Sequence, residues 1–230
     1  ADLYSAVGEG LSEGRPGHEP ALHQGSFYEF SYEVTSNLLF GATNRLEVTV
    51  RKKSANTSIN QAERQADYWT FGGIYRPVYL AGRPQEFIER VATDARADGQ
   101  IAVHAFFSGL ANNYTVAAQV TASDGTPFGG EFTTPVSAGA SNVILSAALP
   151  APQLWSPEFP HLYKLTIQLR DGTKLIHSLT ETIGFRTVTF TNSVGFFLNG
   201  KKVMLRGVNR HEFWPTDGRT SSRAQSMADI

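Results

Sequence analysis

The chain has 230 residues, with 20 Lys plus Arg against 21 Asp plus Glu, so its formal net charge is −1. That balance excludes a strongly basic surface as the means of holding nucleic acid or an anionic membrane. Cysteine is absent, which excludes disulfides, zinc–thiolate sites, iron–sulfur clusters and a cysteine nucleophile within these residues.

Hydrophobic residues make up 41% and charged residues 18% of the chain, enough apolar surface to bury a core. No run approaches the roughly 18 apolar residues that a membrane helix needs. The opening residues, 1–14, carry no initiator Met and neither the basic stretch nor the apolar core of a leader. Residues 5–20 hold four Gly, two Pro and three Glu and read as a loop. The next signals are β-like. Leu46–Arg51 alternates, with Leu46, Val48 and Val50 on one face. No helical pattern stands out before about residue 220.

A boundary is expected at Gly82-Arg83-Pro84, where turn residues cluster. Beyond it, strand-like runs occur at 101–107, 114–121, 142–146 and 163–169. Asp-Gly pairs at 98–99, 124–125 and 171–172 mark tight turns, because Gly accepts positive φ and Asp tolerates it. About 100 residues with about seven strands and no helix predict an immunoglobulin-like β-sandwich, without the Cys pair of antibody domains. From Thr187 a third segment begins. Asn199-Gly200 between apolar-rich runs predicts a hairpin. Residues 221–230 are helix-like, with Ser221 or Ser222 as the N-cap, and meet no stop signal. The chain is expected to be a piece of a larger protein.

Two clusters are dense in chemistry-bearing residues. In Asp67-Tyr-Trp-Thr-Phe-Gly-Gly-Ile-Tyr-Arg-Pro-Val-Tyr-Leu80, aromatics precede a Gly pair and a short strand. It reads either as a turn and an edge strand, since Pro77 cannot donate to a ladder, or as part of a carbohydrate pocket. There the aromatic faces stack on sugar C–H groups and the Asp67 carboxylate accepts hydroxyl hydrogen bonds. In Leu205-Arg-Gly-Val-Asn-Arg-His-Glu-Phe-Trp-Pro215, Arg206, Asn209, Arg210, His211 and Glu212 follow an apolar run. That is how (β/α) barrels furnish a site at strand ends, and also how a solvated strand end looks. His211 and Glu212 would point to opposite faces of a strand, which argues against a shared task. His18 and His23 lack the spacing of a helical zinc pair. His104, His161 and His177 read as structural or surface residues. Asn56-Thr-Ser58 and Asn113-Tyr-Thr115 are glycosylation sequons.

In their order these pieces resemble the N-terminal part of a family 2 glycoside hydrolase. His23–Thr35 and Asn44–Val50 look like late strands of that family's sugar-binding domain, and Asp67–Leu80 like its closing motif. Leu154–Tyr163 and Ile183–Arg186 look like the end of its sandwich, and Phe197–Glu212 like the hairpin and first strand of its barrel. The resemblance implies an all-β fold in three parts. These are a partial jelly-roll sugar-binding domain (1–82), an immunoglobulin-like sandwich (83–186) and the start of a catalytic (β/α)₈ barrel (187–230). It implies a retaining β-glycosidase of β-galactosidase type, whose two glutamates lie roughly 5–5.5 Å apart on later barrel strands beyond residue 230. The chain alone is then expected to be inactive. Glu212 matches neither glutamate motif. Asp67 corresponds to an Asp that reaches the terminal sugar, partly through sodium, and His211 to a His that binds sugar hydroxyls. Arg206 and Asn209 flank it as substrate-binding candidates. Magnesium, where relatives hold it, would lie downstream, so no metal site is assigned here. The implied partner is a terminal β-linked sugar, with neither nucleic acid nor membrane, and homo-oligomerisation possible. The compartment stays open between bacterial cytoplasm and periplasm. The competing reading is a non-catalytic carbohydrate-binding or interaction module of two β-sandwiches. In either case the tail over 196–215 is expected to be mobile, or docked on the sandwich or on a second copy, for want of strand neighbours.

Overall fold

The structure is a computed structural model, and it describes residues 2–4, 8–11, 22–25, 27, 29–65, 73–192 and 195–229. Backbone contacts divide the chain into two compact units, Ala1–Gly82 with Gly207–Ile230, and Arg83–Arg206.

The first unit carries two antiparallel three-stranded sheets. In one, β1 (Asp2–Tyr4) lies between β4 (Glu29–Ser31) and β6 (Val78–Tyr79); in the other, β2 (Gly8–Leu11) lies between β3 (Leu22–His23) and β5 (Glu47–Val50). Strand β6 follows Pro77 directly and sits at a sheet edge, where a residue without an N–H is tolerated. Strand β2 falls inside the stretch expected to be a loop. Ladder bonds to β5 over four residue pairs override the poor strand propensity of its two glycines.

Among the described residues the unit also holds two α-helices. Helix α1 (Thr57–Arg64) was not expected from the sequence. The Asn56 side chain accepts from the N–H groups of Ser58 and Ile59 and starts it, so the sequon Asn serves as an N-cap. Helix α2 (Arg223–Ala228) begins as the sequence predicts. Ser222 accepts from the Gln225 N–H, and the Gln225 side chain returns a bond to Ser222 N–H, a complete capping box.

The second unit is a β-sandwich. One sheet has the order β11 (Asn142–Ala148), β8 (Gln100–Ser108), β7 (Phe87–Ala95); the other has β10 (Phe132–Val136), β9 (Tyr114–Thr121), β12 (Tyr163–Asp171), β13 (Lys174–Ile183). All pairings are antiparallel. Alternation decides the faces. Along β8, Ile101, Val103, Ala105 and Phe107 are buried while the residues between them turn outward. They meet Val116, Val120, Leu165, Ile167 and Leu169 from the other sheet. Phe185 is fully buried, with its ring edge-on to Tyr163 at 5.2 Å, a favoured aromatic geometry.

A third, smaller sheet follows in the same unit, with β15 (Gly195–Leu198) between β14 (Val188–Thr191) and β16 (Lys201–Lys202). Asn199 and Gly200 join β15 to β16 with φ of 51° and 76°, the paired left-handed residues of a type I′ hairpin.

Beyond this hairpin the expected barrel strand forms no ladder. The Val203 N–H still donates to the Phe196 carbonyl at 2.9 Å, but among the described residues no strand ladder includes 204–213. A parallel strand takes its hydrogen bonds from neighbours on both sides, and here Met204, Leu205 and Val208 stay 81%, 76% and 91% exposed.

Candidate functional site

The residues singled out from the sequence fall in different units. Arg206 is the last residue of the sandwich unit and is exposed. Asn209 and His211 belong to the first unit and are also exposed. Asp67 lies outside the described residues.

Within the first unit the two motif clusters meet. Arg76, from the end of the first cluster, lies 4.0 Å from the Glu212 carboxylate of the second. Its guanidinium also stands 5.3 Å from the Tyr75 ring centre. Both charged side chains are about 60% exposed, so the pair sets orientation more than it adds stability. Glu212 therefore has a cation beside its carboxylate.

The chain around this cluster braces itself. The Arg210 Nε donates to Asp229 at 2.6 Å, fixing the segment to the end of α2. Trp214 and Gly218 exchange backbone hydrogen bonds of 2.8 and 2.9 Å, which close a tight loop. The Gln225 side chain donates to Asp217 in that loop. Asn209 and His211 are exposed on this braced segment. These groups suit hydrogen bonding to hydroxyls.

Among the described residues, no group of three or more His, Asp or Glu is placed to hold a metal ion. No helix is long and apolar enough to cross a membrane. Three other histidines, His23, His104 and His177, take structural places. The His23 ring stacks on Phe30 at 3.8 Å, and burial holds its pKa below the usual imidazole value. His177 Nδ1 accepts from the Ile88 N–H at 3.2 Å. His104 Nε2 contacts the Asn142 amide oxygen at 2.9 Å. The meeting of Arg76 and Glu212 has no signal in the sequence, because it depends on bringing the chain's end back to its first third.

The family model described as Glycosyl hydrolases family 2 matches residues 87–186. The model for the TIM barrel domain of that family matches 188–230. Among solved structures the chain is similar to a β-glucuronidase from Bacteroides uniformis. The TM-score is 0.78 and the identity 24%, covering 99% of this chain and 29% of that one. It is also similar to β-glucuronidase 2 of the same organism, solved covalently bound to cyclophellitol-6-carboxylate aziridine, with a TM-score of 0.77 and 25% identity over 99% and 29% of the two chains. A β-galactosidase candidate from Bacteroides fragilis gives 0.76 and 23% over 98% and 35%. The chain thus spans about a third of the length of these proteins or less.

Proposed function

The chain belongs to glycosyl hydrolase family 2, and from that premise we propose that it serves a retaining β-glycosidase as scaffold and as part of the terminal-sugar pocket. The observation that carries this reading is the succession of two family matches on one chain, the sandwich at 87–186 and the barrel domain from 188. In this reading 1–82 is part of a jelly-roll sugar-binding domain, and 187–230 opens the (β/α)₈ barrel. Asp67 accepts hydrogen bonds from the sugar. Arg206 donates to sugar oxygens, and Asn209 and His211 donate or accept, as their side-chain chemistry allows. The acid/base and nucleophile glutamates are not among these residues, so the 230-residue chain does not turn over substrate by itself.

The substrate is proposed to be a β-galactoside. β-Glucuronidases are prominent among the similar structures, which makes a β-glucuronide the competing substrate. A uronate carboxylate needs a cation to receive it, and Arg206 is a candidate for that role if the assay turns that way. The test uses a longer chain that continues through the barrel domain. It is expected to cleave p-nitrophenyl β-galactoside with retention of anomeric configuration, read by NMR of the first-formed sugar, while the 230-residue chain shows no turnover. His211→Ala in the longer chain is expected to lower kcat/KM by at least about tenfold. Turnover by the short chain, or inversion by the long one, overturns the proposal. Sub-millimolar sugar binding by the short chain, abolished by substitutions at Asp67 and His211, would instead support a self-sufficient binding module.

A further inference from the structure

The open side of the sandwich holds a cleft of about 710 Å³ within the second unit. It lies between the edge strands of the two sheets, β7 and β13. These edges are joined at one end by the bond from Ile88 N–H to His177. Near the other end, Arg186 N–H donates to the Ala95 carbonyl at 3.0 Å. Thr93, Asp94, Arg96, Glu181, Arg186 and Thr189 contribute to its lining.

Two of these residues break the pattern of the fold. Antiparallel partners share a face of the sheet. Glu181 is paired with Leu165 and Thr93 with Val103, and both partners are fully buried. Glu181 and Thr93 therefore occupy core-facing positions, on strands from opposite sheets, where apolar residues are the rule. The Thr93 Oγ1 is buried, with the Glu181 carboxyl beside it. One hydroxyl meets only part of a carboxyl's hydrogen-bonding capacity. Burial likewise pushes the Glu181 carboxyl above its usual pKa.

The lining selects a ligand class. Asp94 and Glu181 repel a phosphate or another anion. Arg96 and Arg186 repel a metal ion or an organic cation. Arg96 is already held by Asp94 at 2.8 Å, and Arg186 lies over the Trp155 ring at 4.6 Å, so both guanidiniums are kept in place. Carboxylates, guanidiniums and threonine hydroxyls together offer acceptors and donors with no net charge. We propose that this cleft, between the inward-facing Glu181 and Thr93, is a second, non-catalytic site for a neutral polyhydroxylated ligand such as a short oligosaccharide. It does not depend on the terminal-sugar pocket proposed for Asp67 and His211.

The inward carboxylate has a competing explanation. Charged residues turned inward on edge strands protect sheets from joining edge to edge, and that role needs no ligand. The experiment separates the two. The ¹⁵N-labelled 230-residue chain is titrated with cellotriose, galactobiose and mannobiose, with sodium phosphate as the charged control. The expected result is saturable shifts of the Thr93, Thr182, Gly184 and Thr189 amides with at least one neutral sugar. The affinity is expected in the millimolar range, about that of a shallow polar site. Phosphate is expected to leave these amides unmoved. Glu181→Gln and Thr93→Val, each checked for a folded spectrum, are expected to weaken the response at least fivefold, while Asp67→Ala leaves it intact. No saturable shift with any neutral sugar overturns the site, and with it increased self-association of Glu181→Leu would assign the carboxylate to edge protection. Tighter binding of phosphate than of sugar overturns the ligand class.

Discussion

At position 199 backbone and side chain serve the same contact. The left-handed φ of 51° is one that Asn tolerates better than most residues. Its N–H donates to the Thr187 carbonyl, its Oδ1 accepts from the Thr187 N–H, and its Nδ2 donates to the Trp155 carbonyl. Asn199→Asp keeps the acceptor but sets a carboxylate oxygen against the Trp155 carbonyl. The expected loss is about 1–3 kcal/mol, the range for leaving a buried polar group unsatisfied. Urea unfolding of segment 83–206, followed by fluorescence of its one tryptophan, Trp155, checks it, and an unchanged midpoint would show that these bonds carry no net stability. Glycines allow a sharper comparison. Gly99 and Gly125 both sit in Asp-Gly turns with φ near 86–87°. A Cβ at Gly99 would lie 2.1 Å from the Leu149 carbonyl oxygen, whereas one at Gly125 meets nothing within 4 Å. Gly125→Ala is expected to cost only the backbone strain, about 1–2 kcal/mol. Gly99→Ala is expected to cost clearly more, since the Leu149 carbonyl must move. Equal losses for the two would mean that the turn at 98–99 relaxes freely.

Among the elements, the edges of the sandwich carry a dependence on pH. Because His177 Nδ1 accepts from Ile88 N–H, the ring must be neutral at that nitrogen. Burial, and then the nearby charge of Arg83, hold its pKa below 6.5. The unfolded chain therefore takes up a proton first as pH falls. The contribution of His177 is complete above the unfolded value of about 6.5 and is lost as pH drops toward the folded value. An NMR titration of the ring is expected to give a midpoint below 6.5, with the Ile88 amide shifting in step. A midpoint at or above the free value would remove this link between the sheets. The elements differ in how well their sequences announce them. Strands β8, β9, β11 and β12 are legible because each alternates over seven to nine residues and each Asp-Gly pair forces a turn. Helix α1 is not, since Ile59 and Ala62 are its only apolar residues and Asn56 reads as a sequon before it reads as a cap. The candidate residues Arg206, Asn209 and His211 are legible through their motif alone. The cleft at Glu181 is not, because it requires the registers of two strands some 90 residues apart to be known together.

For the whole molecule, the distribution of the core sets the order of unfolding. Among the described residues, the buried apolar side chains all fall between Ile88 and Leu198, inside the unit Arg83–Arg206. A unit with its own core is able to fold alone. Segment 83–206 is therefore expected to unfold cooperatively in urea, with Trp155 as its only tryptophan reporter. Its end point matters. Residues 187–202 fall outside the sandwich family match, which ends at 186, yet they are bonded into the sandwich. Thr187 Oγ1 accepts from the Ala97 N–H at 3.0 Å, and Asn199 reaches the Trp155 carbonyl at 3.0 Å. Leu198 is buried on the same hairpin. Cutting at 186 removes these contacts and leaves the Ala97 N–H and the Trp155 carbonyl without their partners. Segment 83–186 is expected to unfold at a lower urea concentration than 83–206, by a difference of a few kcal/mol at most. Equal midpoints would mean that the hairpin rests on the sandwich without supporting it. A lower midpoint would make the hairpin a structural joint, so that the segment leading toward Arg206 leaves the sandwich from a fixed point.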